Sequence, residues 1–461
     1  MLVDPVLEVS FGLGGAFRVW PPRSVNTALM PRLDAVVLSH EHLDHFHPAS
    51  LDRLDRSVPV LTGMMLPSAV EDVITALGFT VHRVDHTTGT AFGDLTVRLY
   101  PAGARTLFWE NRVVQPVIRY GDGPAVFIGV DADLSDEYVA DIDAERQPMP
   151  RLAVVSNNSQ ISPPGTLGSD TNLLPGAGGD ARARHTGLAV LKELLLDYPE
   201  RLDGVRDIAL CGNGFVPPHT PHGPYLYSDH RVLADAANQL QHLFTVHGPR
   251  PGDRLTIPAD GPVTRDQADW ITPDTDSEAA GRRAHAEYLA QPVPPVPQPI
   301  APEHGNPEQA LADLDAALRR LGQDLVPTPA GQLAASLHDY LQGPLGAHRI
   351  SLTLLDAPGG NQHYAWNITT AAFDPATPVS LDEAMSRYPF GLRMYFQDFI
   401  GLIRGDVQVW DIALASMQAW NVGRPLDSLA YTLFQVYGEH QRPDLAQQSY
   451  TRLLREIPAQ V

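Results

Sequence analysis

Leu38-Ser39-His40-Glu41-His42-Leu43-Asp44-His45-Phe46-His47 packs four imidazoles and two carboxylates into the eight residues from His40 to His47. Just before it, Asp34-Ala35-Val36-Val37-Leu38 is short, apolar and β-branched, as a buried parallel strand should be, so the histidines fall where that strand ends. Ligands and catalytic groups of open α/β sheets gather at that end. In extended chain, side chains alternate with a period of two, so His40 and His42 point the same way and can grip one ion. Asp44 and His45, a turn later, can face a second ion roughly 3.5–4 Å away. The competing reading is a solvated, histidine-rich loop or helix cap. Such loops seldom place His-x-His-x-Asp-His directly behind an apolar strand.

His40-x-His42-x-Asp44-His45 matches the signature of the metallo-β-lactamase superfamily. Around it, Leu2-Val3-Asp4-Pro5 resembles the family's earlier strand-end aspartate, and Pro31 to His40 resembles its lactonase-like branch. The resemblance implies an α/β fold, a metallo-β-lactamase αββα sandwich over roughly the first 255 residues; the pattern beyond a Pro-rich spacer adds a C-terminal α+β domain. The resemblance also implies two divalent metal ions, with zinc the leading expectation and iron the alternative. His40, His42, Asp44 and His45 would be ligands, joined by a strand-end aspartate and a late histidine.

Three positions test the family pattern. The segment from Pro101 to Asn111 holds no histidine where the family supplies its third; Glu110 is the candidate replacement, against the reading of a solvated loop carboxylate. Pro124 to Asp133 is a buried strand ending in Asp131 and Asp133. Asp131 is the expected metal-bridging residue and Asp133 the fallback, with a helix N-cap role as the structural alternative, strongest for Asp133. After the strand Asp207 to Cys211, His219 is expected to close the second site, with His222, His185 or Asn213 as alternatives. Asp44 and Asp131 are the residues expected to assist proton transfer.

A length of 461 residues implies two or three domains at about 150 residues each. The expected division is residues 1–255 for the metal-binding domain, 256–305 for an extension and a Pro-rich linker, and 306–461 for the α+β domain. In the last, the pattern predicts a hairpin around Gly359-Gly360-Asn361 and helices over 392–403, 409–420 and 428–437. Net charge is −21, which argues against a nucleic-acid partner, since phosphate binding needs basic stripes. No apolar run reaches membrane-spanning length and no secretion signal opens the chain, so a cytoplasmic setting with no membrane contact is expected. Cys211 is the only cysteine, which excludes a thiolate cluster; a buried structural thiol is the first reading and a thiol lining the metal cleft the second. Related chains run through several strands before the Asp-Pro that stands here at positions 4 and 5. A sheet edge left open in this way would be covered by the C-terminal domain or by a second subunit, making a homo-oligomer.

These readings lead first to a hydrolase that activates water at a dinuclear site toward a small-molecule ester, lactone, amide or phosphate ester. The alternative is a diiron oxygenase, because the order His-x-His-x-Asp-His, Glu, Asp, His resembles that of the chloramphenicol-pathway β-hydroxylase and carboxylate-rich ligation suits iron. The third is a non-catalytic member whose metal site has decayed.

Overall fold

The structure is a computed structural model, and it describes the chain apart from residues 13–14, 16, 107–111, 158–172, 175–190, 213, 217–228, 259, 290–297, 341–345, 424–426, 439–440 and 458–461. Two sheets lie face to face in the first half. One is parallel, in the order Leu2–Val3, Val36–Leu38, Val60–Thr62, Val81–Arg83. The other has seven strands, in the order Thr245–His247, Asp207–Cys211, Leu152–Ser156, Ala125–Ile128, Val114–Tyr120, Leu95–Pro101, Thr90–Phe92. Its half nearest the late strands is parallel and its other half is an antiparallel meander.

Alternation along Val36-Val37-Leu38 explains how one short strand serves two cores. Val37, with Leu61, meets Val97, Leu99 and Val114 between the sheets, whereas Val36 and Leu38 face helix Ser68–Ala76 through Val70, Val73 and Ile74. The opposite face of the large sheet is covered by Tyr138 of helix Asp136–Asp143, by Tyr198, and by Leu233 and Ala237 of helix His230–Leu240. The layers are therefore helix, sheet, sheet, helix. Gly78, at φ +91°, follows the C-cap Leu77 and ends the helix Ser68–Ala76. Asp133 is not a helix cap: Ser135 is, its Oγ accepting from the Tyr138 amide, while Asp133 pairs with Arg105 at 2.8 Å and Arg201 at 3.3 Å.

Leu2–Val3 occupies an edge of the parallel sheet, and no further strand pairs with it among the described residues. Residues beyond 255 remain attached to this half of the molecule. Thr264–Gln267 pairs with Asp253–Thr256, and Ile271–Pro273 pairs with Arg23–Val25. Helix Thr275–Leu289 then leads to the proline-rich stretch 290–297, which lies outside the described residues.

The C-terminal region is a five-stranded sheet in the order Ala372–Pro375, Gln362–Asn367, His348–Leu355, Phe390–Tyr395, Met417–Asn421, with helices packed on it. The hairpin turns through Gly359 and Gly360, both at positive φ, as its sequence implies. Two expected helices are corrected. Residues 392–395 belong to strand Phe390–Tyr395, and only Phe396–Arg404 is helical; residues 417–420 belong to strand Met417–Asn421, and only Val409–Ala415 is helical. Across each strand–helix boundary the apolar positions keep helical spacing, Leu392, Phe396, Phe399 and Ile403 in one and Val409, Ile412, Ala413, Met417 and Trp420 in the other, so each strand reads as part of the neighbouring helix. Gly391 belongs in the strand because a Cβ there would overlap the Trp420 indole that lies across it.

The two halves share apolar packing. The last helix, Pro443–Glu456, lies against helix Ser68–Ala76, and the Phe46 ring meets Tyr450 at 5.9 Å. Asp398 fastens the exit of the proline-rich stretch, its Oδ1 accepting from the amides of Ile300 at 2.9 Å and Ala301 at 2.8 Å. Burial raises this carboxyl from 3.8 to about 6. Folding therefore takes up a proton between those values, and the chain gains stability as pH falls through 6. From pH 7 to pH 5 the expected gain is about 1.4 kcal/mol. Urea unfolding at the two pH values should show it, and Asp398→Asn should remove that part of the dependence; an unchanged slope in the variant would refute the assignment.

Candidate metal centre

Two unusual backbone conformations shape the site. Asp4, at the end of the first strand, has φ +46°, and Val130, just before Asp131, has φ +49°. The left-handed region is unfavourable for a β-branched residue, by about 1–3 kcal/mol, and such strain collects at functional positions. Here it turns Asp131 off the end of strand Ala125–Ile128 toward the histidines.

Asp4 is the anchor. Its Oδ1 accepts from the Ser39 amide at 2.8 Å, and its Oδ2 accepts from Ser39 Oγ at 2.6 Å and from His45 Nδ1 at 2.9 Å. Fixing Nδ1 in this way aims His45 Nε2 into the cleft, 2.8 Å from Asp131 Oδ2 and 3.5 Å from Asp44 Oδ2. Ser156 Oγ, at the end of the neighbouring strand, donates to Asp131 Oδ1 at 2.9 Å. The His40 and His42 rings meet beside them, Nε2 to Nδ1, at 2.9 Å. His47, the fourth imidazole, is turned away: its Nδ1 lies 2.6 Å from Ser50 Oγ, which accepts from the Leu7 amide, and burial lowers it to about 4.

Charge divides the imidazoles. Burial, with His45 and Arg112 nearby, holds both His40 and His42 well below the usual histidine range, so they are neutral, the form that ligates metal. Burial opposes a charge on His45 too, but Asp44, Asp131 and the hydrogen bonds to Asp131 and Asp4 outweigh it and push that ring well above the usual range. A divalent cation placed at His45 Nε2 would take the place of that proton among the same carboxylates.

The donor set suits metal. One donor atom each from His40, His45 and Asp131 lies within 4.8 Å of the others, and Asp44 and His42 border the same space. On the His42 side there is a condition. Arg112 Nη2 stands 3.3 Å from His42 Nε2 and can only donate, which places the ring proton on Nδ1. Ligation through Nδ1 moves that proton to Nε2, so Arg112 must then give up this contact.

Of the expected ligands, the structure brings together His40, His42, Asp44, His45 and Asp131. Glu110, His219 and the alternatives His222, His185 and Asn213 lie outside the described residues. Cys211 lines the cavity beside His45 and Asp131, and burial pushes its thiol up to about 12, so it is neutral. Sequence reasoning missed Ser156, Arg112 and Trp410. Ser156 carried a usable signal, since it ends a parallel strand; the other two carried none.

Residues 1–137 match the family model described as Beta-lactamase superfamily domain. Those residues are similar to that domain, and the helix, sheet, sheet, helix layers continue past them to strand Thr245–His247. No curated protein matches the chain. Among solved structures it is similar to a possible metal-dependent hydrolase from Veillonella parvula, at 15% identity over 54% of this chain and 88% of that one, with a TM-score of 0.35. It is also similar to an isothiocyanate hydrolase from Delia radicum gut bacteria, at 15% identity, 58% and 92% coverage, and a TM-score of 0.35. A third is a diiron beta-hydroxylase from Streptomyces venezuelae, at 16% identity, 57% and 50% coverage, and a TM-score of 0.34.

Two further features surround the centre. Glu41, inside the motif, forms a fully buried ion pair with Arg112, and its second oxygen, Oε2, has no hydrogen-bond partner. The C-terminal region also reaches the centre: Trp410 lies edge-on to His42 with ring centroids 4.5 Å apart and is backed by Phe434 at 4.7 Å. Leu173 touches that region as well, buried against Ala384 and Trp420. No helix among the described residues is long and apolar enough to cross a membrane.

Proposed function

We propose that the protein is a metal-dependent hydrolase acting on a small-molecule ester, lactone, amide or phosphate ester through two divalent ions, zinc in the first instance. The observation that carries this reading is the convergence of His40, His42, Asp44, His45 and Asp131 at the strand ends of two different sheets. A bound pair of such ions supplies Lewis acidity and activates water near neutral pH. The chain's own residues do the remainder. Asp4 and Ser156 orient His45 and Asp131. Asp44, whose side chain is 48% exposed, reaches solvent and is suited to pass a proton out of the cleft. Trp410 keeps water off the His42 ring.

A cytoplasmic setting belongs to the same proposal, since a chain with one cysteine has no intrachain disulfide to protect. The second reading, a diiron oxygenase, rests on Glu110 standing where a histidine is expected. Elemental analysis of the purified protein separates the two. Two zinc ions per chain, with hydrolysis of 4-nitrophenyl esters or phosphates lost on chelation, is the expected result. Iron together with oxygen consumption would move the assignment to the oxygenase, and Glu110→His should then shift bound metal toward zinc. A chain without metal would overturn both.

A further inference from the structure

A cavity of about 450 Å³ opens beside the centre, within the size range of small-molecule sites. One end of it is formed by Asp44, His45 and Asp131, and its walls are mostly apolar, among them Val6, Phe11, Val19, Val154 and Trp270. Arg23 is the one arginine or lysine in this lining among the described residues. Its Nη2 donates to the carbonyl of Val6, while Nη1 is buried without a hydrogen-bond partner. Among the described residues no carboxylate pairs with it, although the sequence holds 54 acidic residues against 33 Lys and Arg. Burial alone lowers the Arg23 pKa, with no acidic neighbour opposing the shift. The three carboxylates of the same cavity face other groups, Asp4 toward Ser39 and His45, Asp44 toward His45, and Asp131 toward His45 and Ser156. A half-buried guanidinium with one nitrogen out of reach of water is costly to leave without a partner, and an anion from outside the chain relieves that cost.

We propose that this cavity binds an apolar small molecule bearing one carboxylate, received by Arg23 Nη1, with the body of the molecule along the apolar walls and its far end at His45 and Asp131. The substrate class rests on the hydrolase reading; the anion site does not. Calorimetric titration with octanoate and with its neutral counterpart octanamide tests it, on the protein as purified and again after chelation of metal. In both forms octanoate should bind at least ten-fold more tightly than octanamide. Arg23→Gln should abolish that preference and leave octanamide binding unchanged, whereas Arg23→Lys should keep part of it. Val154→Phe, which fills the cavity, should remove binding of both probes without altering metal content.

Equal binding of acid and amide would overturn the proposal, as would a preference that survives Arg23→Gln. A preference that disappears on chelation would place the carboxylate on metal and overturn it too. If the glutamine variant does not fold, octanoate binding to Val154→Phe at the unaltered affinity would by itself rule out the cavity. Failure of the hydrolase reading would show as absent metal or activity and would leave the titration of the chelated protein unaffected.

Discussion

Arg112→Met should lower the stability of the chain by about 3–5 kcal/mol, because it leaves the Glu41 carboxylate charged and buried without its partner. Both side chains of this pair are at most 1% exposed, so water cannot replace the lost guanidinium. The double variant Glu41→Met, Arg112→Met should regain most of the loss, since a buried pair exchanged for apolar groups of similar volume is often neutral. Urea unfolding followed by circular dichroism measures both. A loss below about 1 kcal/mol in the single variant would show that the pair is solvated and that the motif is not held from beneath in this way. Metal content of the single variant is a separate readout, because Arg112 also touches the far nitrogen of His42.

Asp131→Ala should have the largest effect on metal. Asp131 Oδ2 faces His45 Nε2 at 2.8 Å in the space shared with His40, so its removal takes away an oxygen donor. Partners that only orient a ligand typically contribute 10–100-fold in metal affinity, and Asp4→Asn, which loosens Ser39 and His45, is expected in that range. Asp131→Ala should exceed it, at more than about 100-fold, in a folded chain. Competition with a chromophoric zinc chelator gives the affinities. Equal metal binding in Asp131→Ala and the unaltered protein would remove Asp131 from the centre. His42→Ala and Asp44→Ala should also lose metal while remaining folded, for the same reason.

How much of this was legible beforehand depends on the range of each interaction. The motif is local: alternation along an extended segment implies that His40 and His42 face the same way, and their Nε2 and Nδ1 atoms meet at 2.9 Å. The order of preference for Asp131 over Asp133 also came from a single strand end, and the structure puts Asp131 at His45 and Asp133 at Arg105 and Arg201. The apolar residues of strands Phe390–Tyr395 and Met417–Asn421 continue the helical spacing of the helices beside them, so local periodicity reads these segments as helix.

From the sequence alone came the strand-then-histidine motif and the aspartates at strand ends, both of which depend on residues within a few positions of one another. Only the tertiary structure brought Arg112 under Glu41, Trp410 against His42, Ser156 to Asp131 and Arg23 into the cavity beside His45. Those partners stand far apart along the chain, and which of many arginines or tryptophans arrives is decided by how sheets and helices stack. Side-chain periodicity holds no information about that choice.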